Sequence, residues 1–211
     1  MHRICCLAAL TCAVAGMTST AAATPLVIDD FSVAPASPVQ FDTSGPDSSI
    51  LGGTRRSIGS TGITFAGAGT GELQMDSNFV FASEPSFIVW NSDGAGLGGI
   101  DITSYDAFEL ELTSNRSLPI AFEFNLAITV IDVNDDITTF TTSSIEETTL
   151  FTFGDAIGSA DLALVDFVSL EVEIISSGTE INLDHFQLVP SPGPAALLAV
   201  GGLAAVRRRR G

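Results

Sequence analysis

Alternation of apolar and polar residues with a period of two is the feature that most restricts the fold of this chain. It is clearest in residues 107–113, where Phe108 and Leu110 fall on one face of an extended segment and Glu109 and Glu111 on the other. Phe, Ile, Val and Thr dominate this and similar segments, and these residues suit a pleated, half-buried surface. Further strands are predicted at residues 26–31, 62–66, 71–75, 79–81, 86–90, 120–131, 148–153, 167–174 and 180–188.

The stretches between these segments are rich in Gly, Asp, Asn, Ser and Pro, which favour turns. Residues 35–53 are predicted to form a long surface loop, and residues 155–161 a short helical turn or loop. Many short strands separated by turns indicate an all-β fold. We predict an antiparallel two-sheet β-sandwich, a jelly roll, of eight to ten strands.

The N-terminus has the layout of a secretory signal peptide. Arg3 precedes an apolar stretch at residues 4–16, and the small-residue run 21–23 follows. This order predicts an N-terminal signal helix over residues 1–23, cleaved after Ala23. A buried N-terminal helix is the alternative.

The C-terminus, residues 189–211, carries a second targeting pattern: a Pro-rich break, an apolar run at 194–206, and a basic end. The basic end consists of Arg207, Arg208, Arg209 and Arg210. A 13-residue hydrophobic helix rises only about 20 Å, less than a hydrocarbon core of about 30 Å. The arginines would stay on the cytoplasmic side. The segment is therefore predicted to hold the chain transiently in the inner membrane.

This three-part tail resembles the PEP-CTERM class of bacterial sorting signals. The motif positions are Pro190, Ser191, Pro192 and Gly193, and Ser191 stands where the class has its central Glu. The tail is similar to variants of the Val-Pro-x-Pro-Gly type. The resemblance implies processing by an exosortase-like membrane enzyme, and an uncleaved membrane anchor is the alternative.

Residues 24–188 remain between the two signals, which is the length of one domain. The three cysteines, Cys5, Cys6 and Cys12, all lie in the leader. The mature form would therefore contain no disulfide, thiol nucleophile, Cys-ligated zinc or iron–sulfur cluster.

The charge of this central segment is strongly one-sided. Its 25 acidic residues are opposed only by Arg55, Arg56 and Arg116, a net charge of −22, and the chain has no lysine. Such a surface repels nucleic acid and anionic lipid headgroups, so both are excluded as partners. It attracts divalent cations, although solubility alone also accounts for it.

Three segments of the domain resemble the galactose-binding-like jelly rolls, a fold shared by many non-catalytic carbohydrate-binding modules. They are residues 99–110, 26–31 and 181–188. The resemblance implies neighbouring first and last strands with a structural Ca²⁺ between them. Asp29, Asp30 and Asp184 would then supply oxygen ligands. Exposure to solvent or the capping of a turn is the alternative for these acids.

Other chemistry-bearing residues favour structural roles. Residues 134–136 lack EF-hand spacing and predict a turn. His185 is predicted on a strand surface, and no Ser–His–acid pattern accompanies it. Arg55 is expected to pair with Asp29, Asp30 or Asp184, and binding of a ligand carboxylate or sugar hydroxyl is the alternative. Trp90 is expected in the core or at its rim.

We therefore predict an exported, surface-sorted, non-enzymatic protein of the bacterial envelope or extracellular matrix. A calcium-stabilised carbohydrate-binding module, with a polysaccharide bound around Trp90 or Tyr105, is the alternative. A hydrolase has the least support, since it would need a deep pocket of converging polar groups.

Overall fold

The computed structural model describes residues 24–67, 71–77, 84–115, 124–142, 144–175 and 178–191. The predicted signal peptide, the strand predicted at 79–81, and the segment from Pro192 onward lie outside this range. Among the described residues, no helix has the length and apolar character needed to cross a membrane. The described strands are β1 (Leu26–Asp29), β2 (Phe41–Ser44), β3 (Arg55–Ile58), β4 (Ile63–Gly67), β5 (Leu73–Ser77), β6 (Ser86–Trp90), β7 (Tyr105–Ser114), β8 (Phe124–Asp132), β9 (Ile137–Thr141), β10 (Thr148–Thr152), β11 (Ile157–Gly158), β12 (Val165–Ile174) and β13 (Glu180–Pro190).

The strands form two antiparallel sheets. In the six-stranded sheet the order is β10-β7-β13-β5-β4, and β1 also pairs with β13. The seven-stranded sheet has the order β11-β9-β8-β12-β6-β3-β2. The predicted two-sheet antiparallel β-sandwich is confirmed, with thirteen described strands where eight to ten were expected. The first and last strands are neighbours, as the resemblance implied.

Four of these strands were not predicted. The expected loop at 35–53 contains β2. This strand has only four residues, and the turn-forming residues on either side of it predict a loop. β3 begins with two arginines, which the alternation rule does not assign to a sandwich interior. β9 is mostly threonine, and the two-residue β11 lies within the expected turn at 155–161.

Aromatic rings fill the space between the sheets. Phe108 of β7 lies 5.1 Å from the ring of Phe140 on β9 and 5.7 Å from that of Phe186 on β13. Trp90 lies 5.1 Å from Phe186. These rings bury large areas and contact one another in edge, tilted and stacked geometries, which favours a single packed core.

The last strand extends beyond the predicted end of the domain at Leu188. Pro190 pairs with Tyr105, and the Ser191 amide donates to the carbonyl oxygen of Ser104 at 3.0 Å. The Ser191 hydroxyl also donates to the Asp106 carboxylate. The first residue of the Pro-Ser-Pro-Gly motif therefore belongs to the sheet, and the second is hydrogen-bonded to residues just before and within β7.

Candidate functional site

A buried charged cluster joins the two sheets near the N-terminal strand. Asp29 ends β1 in the six-stranded sheet, whereas Arg55 and Trp90 are paired neighbours on β3 and β6 of the other sheet. All three side chains are completely buried. Asp29 points inward beside Ile28 because the β1–β13 register shifts between Val27 and Asp29. Such a bulge redirects side chains that strict alternation would send outward.

The Asp29 carboxylate is fully hydrogen-bonded. Arg55 Nη1 donates to both of its oxygens at 2.9 Å. Trp90 Nε1 donates to Oδ2 at 2.8 Å, and the Phe31 amide to Oδ1 at 2.7 Å. Arg55 Nη2 donates to the Val33 carbonyl oxygen and to the Ser44 hydroxyl. Both carboxylate oxygens and both terminal guanidinium nitrogens thus have partners inside the core, as burial requires, whereas Arg55 Nε is buried without one.

The electrostatics of this cluster follow from its burial. Desolvation raises the pKa of Asp29 above its ordinary value, and the Arg55 guanidinium and the Trp90 hydrogen bond oppose this rise. The guanidinium carbon of Arg55 also lies 5.2 Å from the centre of the Phe31 ring. Within the described parts of the chain, Arg55–Asp29 is the one ion pair. The predicted structural role of Arg55 is confirmed.

The three acids proposed for calcium do not form a ligand set in this geometry. Asp29 is engaged by the donors described above, Asp30 accepts from the Ser32 amide at 3.0 Å, and Asp184 is exposed. The described residues contain no group of three or more His, Cys, Asp or Glu side chains able to hold a metal ion. In this arrangement the three carboxylates do not supply a shared set of oxygen ligands. Calcium binding by the chain stays a prediction.

The remaining predicted positions have structural surroundings. His185 lies on β13 with its Nε2 3.2 Å from Gln187 Oε1. Residues 134–136 form the β8–β9 turn. Asp132 closes that turn by accepting from the amides of Asn134, Asp136 and Asp161. Trp90, at 0 % exposure, cannot serve as a sugar platform.

The outer surface of the six-stranded sheet, here the polar face, carries carboxylates, amides and hydroxyls that contact one another. Gln187 Nε2 donates to Glu109 Oε1 at 2.5 Å. Asn182 Nδ2 lies 3.4 Å from Thr113 Oγ1. Much of the hydrogen-bonding capacity of this face is therefore used within it.

The outer surface of the seven-stranded sheet, here the aromatic face, is different. Alternation along its strands turns Phe41, Ile58, Phe87 and Phe167 away from the core. Phe41 is 64 % exposed. Large apolar side chains on an outer sheet face are informative because they are not needed for the core.

The strand register aligns part of this face into one row perpendicular to the strands. From β2 to β9 the row consists of Phe41, Ile58, Phe87, Glu171, Ala127 and Thr141. Adjacent strands are about 4.8 Å apart, so the row spans about 24 Å. It changes from apolar at the β2 end to polar at the β9 end.

Two shallow depressions lie along this row. One, of about 140 Å³, is bordered by Phe41, Arg56 and Ile58. The other, of about 240 Å³, is bordered by Glu171, Asn125 and Thr141. Ala127 lies between Glu171 and Thr141, and its small side chain leaves this second depression open.

An elongated row of ring faces and polar groups can bind a chain-like ligand that has both apolar and hydroxyl-bearing surfaces. Sequence reasoning did not identify this row, because its members lie on six strands between positions 41 and 171. The exposed Phe41 was the available signal, but it fell within the predicted loop.

No protein-family model and no curated protein matches the sequence. Among solved structures, the family 11 carbohydrate-binding module of a Clostridium thermocellum cellulase is 11% identical, with a TM-score of 0.45, covering 81% of this chain and 96% of that one. A family 29 carbohydrate-binding module has 12% identity and a TM-score of 0.40, covering 78% and 84%. An agarase has 12% identity and a TM-score of 0.49, covering 80% of this chain and 25% of its own. We draw neither family membership nor a ligand from similarity at this level.

Proposed function

We propose that this protein is an exported, non-enzymatic β-sandwich of the cell envelope or extracellular matrix that binds polysaccharide through its aromatic face. The observation that carries the binding role is the cross-strand row from Phe41 to Thr141. The exposed Phe41 and the half-buried Phe87 on the outer sheet surface suit the apolar faces of sugar rings, and the neighbouring polar groups suit their hydroxyls.

Export and sorting form the second part of the proposal and depend on the two terminal sequences. The signal peptide would direct the chain across the inner membrane. Residues 194–206 of the tail would hold the chain in the inner membrane until an exosortase-like enzyme cleaves the tail. The domain's strongly negative charge agrees with a hydrated exterior and disfavours nucleic acid.

Processing is tested by producing the full chain in an exosortase-bearing bacterium and determining both termini of the product by mass spectrometry. We expect an N-terminus at Thr24 and loss of the arginine cluster. Replacing Pro192 by Ala should preserve the first cleavage and reduce the second. Retention of residues 1–23 would contradict export, and an intact tail would contradict sorting by cleavage.

Binding is tested by measuring the affinity of the full chain for soluble neutral and charged polysaccharides. Phe87→Ala should weaken binding of the recognised polymer by about tenfold, or 1.4 kcal/mol. The control is Leu150→Ala, which removes an apolar side chain, 46 % exposed, from the other sheet. This control should change affinity less than about twofold, within 0.4 kcal/mol.

Circular dichroism verifies that both variants are folded. Equal weakening by the two substitutions would contradict a site on the aromatic face. The binding role is wrong if the wild-type chain binds none of the polysaccharides.

A further inference from the structure

The aromatic face also indicates the charge of its ligand. We propose that the row binds a polysaccharide with protonated amino groups, with the sugar rings on Phe41 and Phe87 and an amine at Glu171 and Glu173. This inference rests on the proposed function and specifies the substrate class of the same site.

The carboxylates lie beside the aromatic end of the row. Glu171 is the direct cross-strand neighbour of Phe87, so their Cβ atoms are about 5 Å apart. Glu173 follows on the same outward side of β12, about 7 Å further along the strand. A sugar ring on Phe87 would therefore place its substituents close to a carboxylate.

These carboxylates have little protein compensation. Asn125 Nδ2 donates to Glu173 Oε2 at 2.8 Å, and Glu171 forms no ion pair with any described residue. Among the described residues, Arg56 is the cation that points outward on this face. It lies on β3, two strands from β12, so the two strands are about 10 Å apart. An ammonium group would complete charge-assisted hydrogen bonds here.

The charge of the domain also argues against negatively charged polysaccharides as ligands. The segment 24–188 has a net charge of −22, so a polymer of uronate or sulfate groups would approach against repulsion. A neutral polymer would use the aromatic end and could donate hydroxyl hydrogen bonds to Glu171, but it would bring no opposite charge to that carboxylate. A polymer that carries amines matches both the aromatic end of the row and the carboxylates beside it.

The test compares two probes on the full chain: a β-linked glucosamine oligomer and its fully N-acetylated counterpart of equal length. Calorimetry is done under conditions in which the sugar amine carries a proton. We expect the wild-type protein to bind the free-amine probe at least tenfold more tightly. The double substitution Glu171→Gln and Glu173→Gln should reduce this preference to less than threefold.

General attraction between an acidic protein and a cationic oligomer requires a matched control. Glu109 and Glu111 have the same spacing on β7 and point outward on the polar face. Replacing both by Gln removes the same charge, and this variant should keep the wild-type preference. If the two double variants lose the preference equally, the attraction is diffuse and the inference is wrong.

The remaining outcomes separate this inference from the proposed function. Equal affinity for the two probes, with Phe87→Ala weakening both, overturns the amine preference and leaves polysaccharide binding intact. If neither probe nor any other polysaccharide binds, both proposals are wrong.

Discussion

The polar face and the aromatic face are built from the same kind of alternating strand, but their outward side chains have different neighbours. On the polar face Glu109 contacts Gln187, and Asn182 lies beside Thr113. On the aromatic face Phe41 and Phe87 flank Ile58. These three side chains have no hydrogen-bond donor or acceptor, so they form no hydrogen bonds with their neighbours. Outward position therefore does not decide whether a surface is available for a ligand. The cross-strand partners decide it.

The largest expected effect concerns the support beneath the aromatic face. β3 turns Arg55 into the core and Arg56 outward. Arg55→Ala leaves the Asp29 carboxylate buried without its ion-pair partner, and such changes cost about 3–5 kcal/mol. Urea unfolding should show this loss. Arg56→Ala on the same strand is the control, and it should change the free energy of unfolding by at most about 0.5 kcal/mol.

If Arg55→Ala lowers the free energy of unfolding no more than Arg56→Ala does, the cluster does not hold the two sheets together. The aromatic face would then be independent of the core beneath it.

A smaller effect on stability is expected at the β8–β9 turn of the seven-stranded sheet, and this effect depends on pH. The Asp161 amide, with those of Asn134 and Asp136, holds the pKa of Asp132 below its ordinary value of 3.8. A carboxylate with a lowered pKa stabilises the folded state above the ordinary value, and this contribution disappears as pH falls through the lowered value. Asp132→Asn should therefore be less stable than wild type at neutral pH.

The difference in the free energy of unfolding between wild type and Asp132→Asn should become smaller below about pH 4, where the carboxylate of the unfolded chain becomes protonated. Denaturation at a series of pH values measures this gap. Asp184→Asn, at an exposed position on β13, is the matched control and should show a gap near zero at every pH. A constant gap for Asp132→Asn would contradict the proposed electrostatic cause.

The smallest effect on stability is expected at the exposed edge of the aromatic face. Phe41→Ser should alter the free energy of unfolding by about 0.5 kcal/mol or less, because the ring is mostly in solvent. It should nevertheless shorten retention on a hydrophobic-interaction column more than Leu150→Ser does. Equal shortening by both would show that the two faces do not differ in accessible apolar surface.

Local patterns in the sequence were sufficient for the fold class and for many strands. Ser86–Trp90 was predicted with its observed bounds, and the alternation around Phe108 placed β7 correctly, although the strand is longer at both ends. These strands bury one side chain in two, and that periodicity can be read from neighbouring residues alone.

The inward turn of Asp29 could not be predicted in this way. It depends on a bulge against β13, nearly 160 residues later in the chain, and alternation alone would send Asp29 outward beside a buried Ile28. The aromatic row is also invisible to local patterns. Its order depends on the pairing of β6 with β3 and β12, which no segment encodes by itself.

The position of β13 has a mechanical consequence. Along its length this strand is bonded to β7 on one side and to β5 and then β1 on the other. Antiparallel hydrogen bonds lie perpendicular to the strands, so tension along the strand from Ser191 would load many of them together in shear. A sandwich tethered at this end would resist pulling more strongly than one whose terminal strand lay at a sheet edge and could unzip bond by bond.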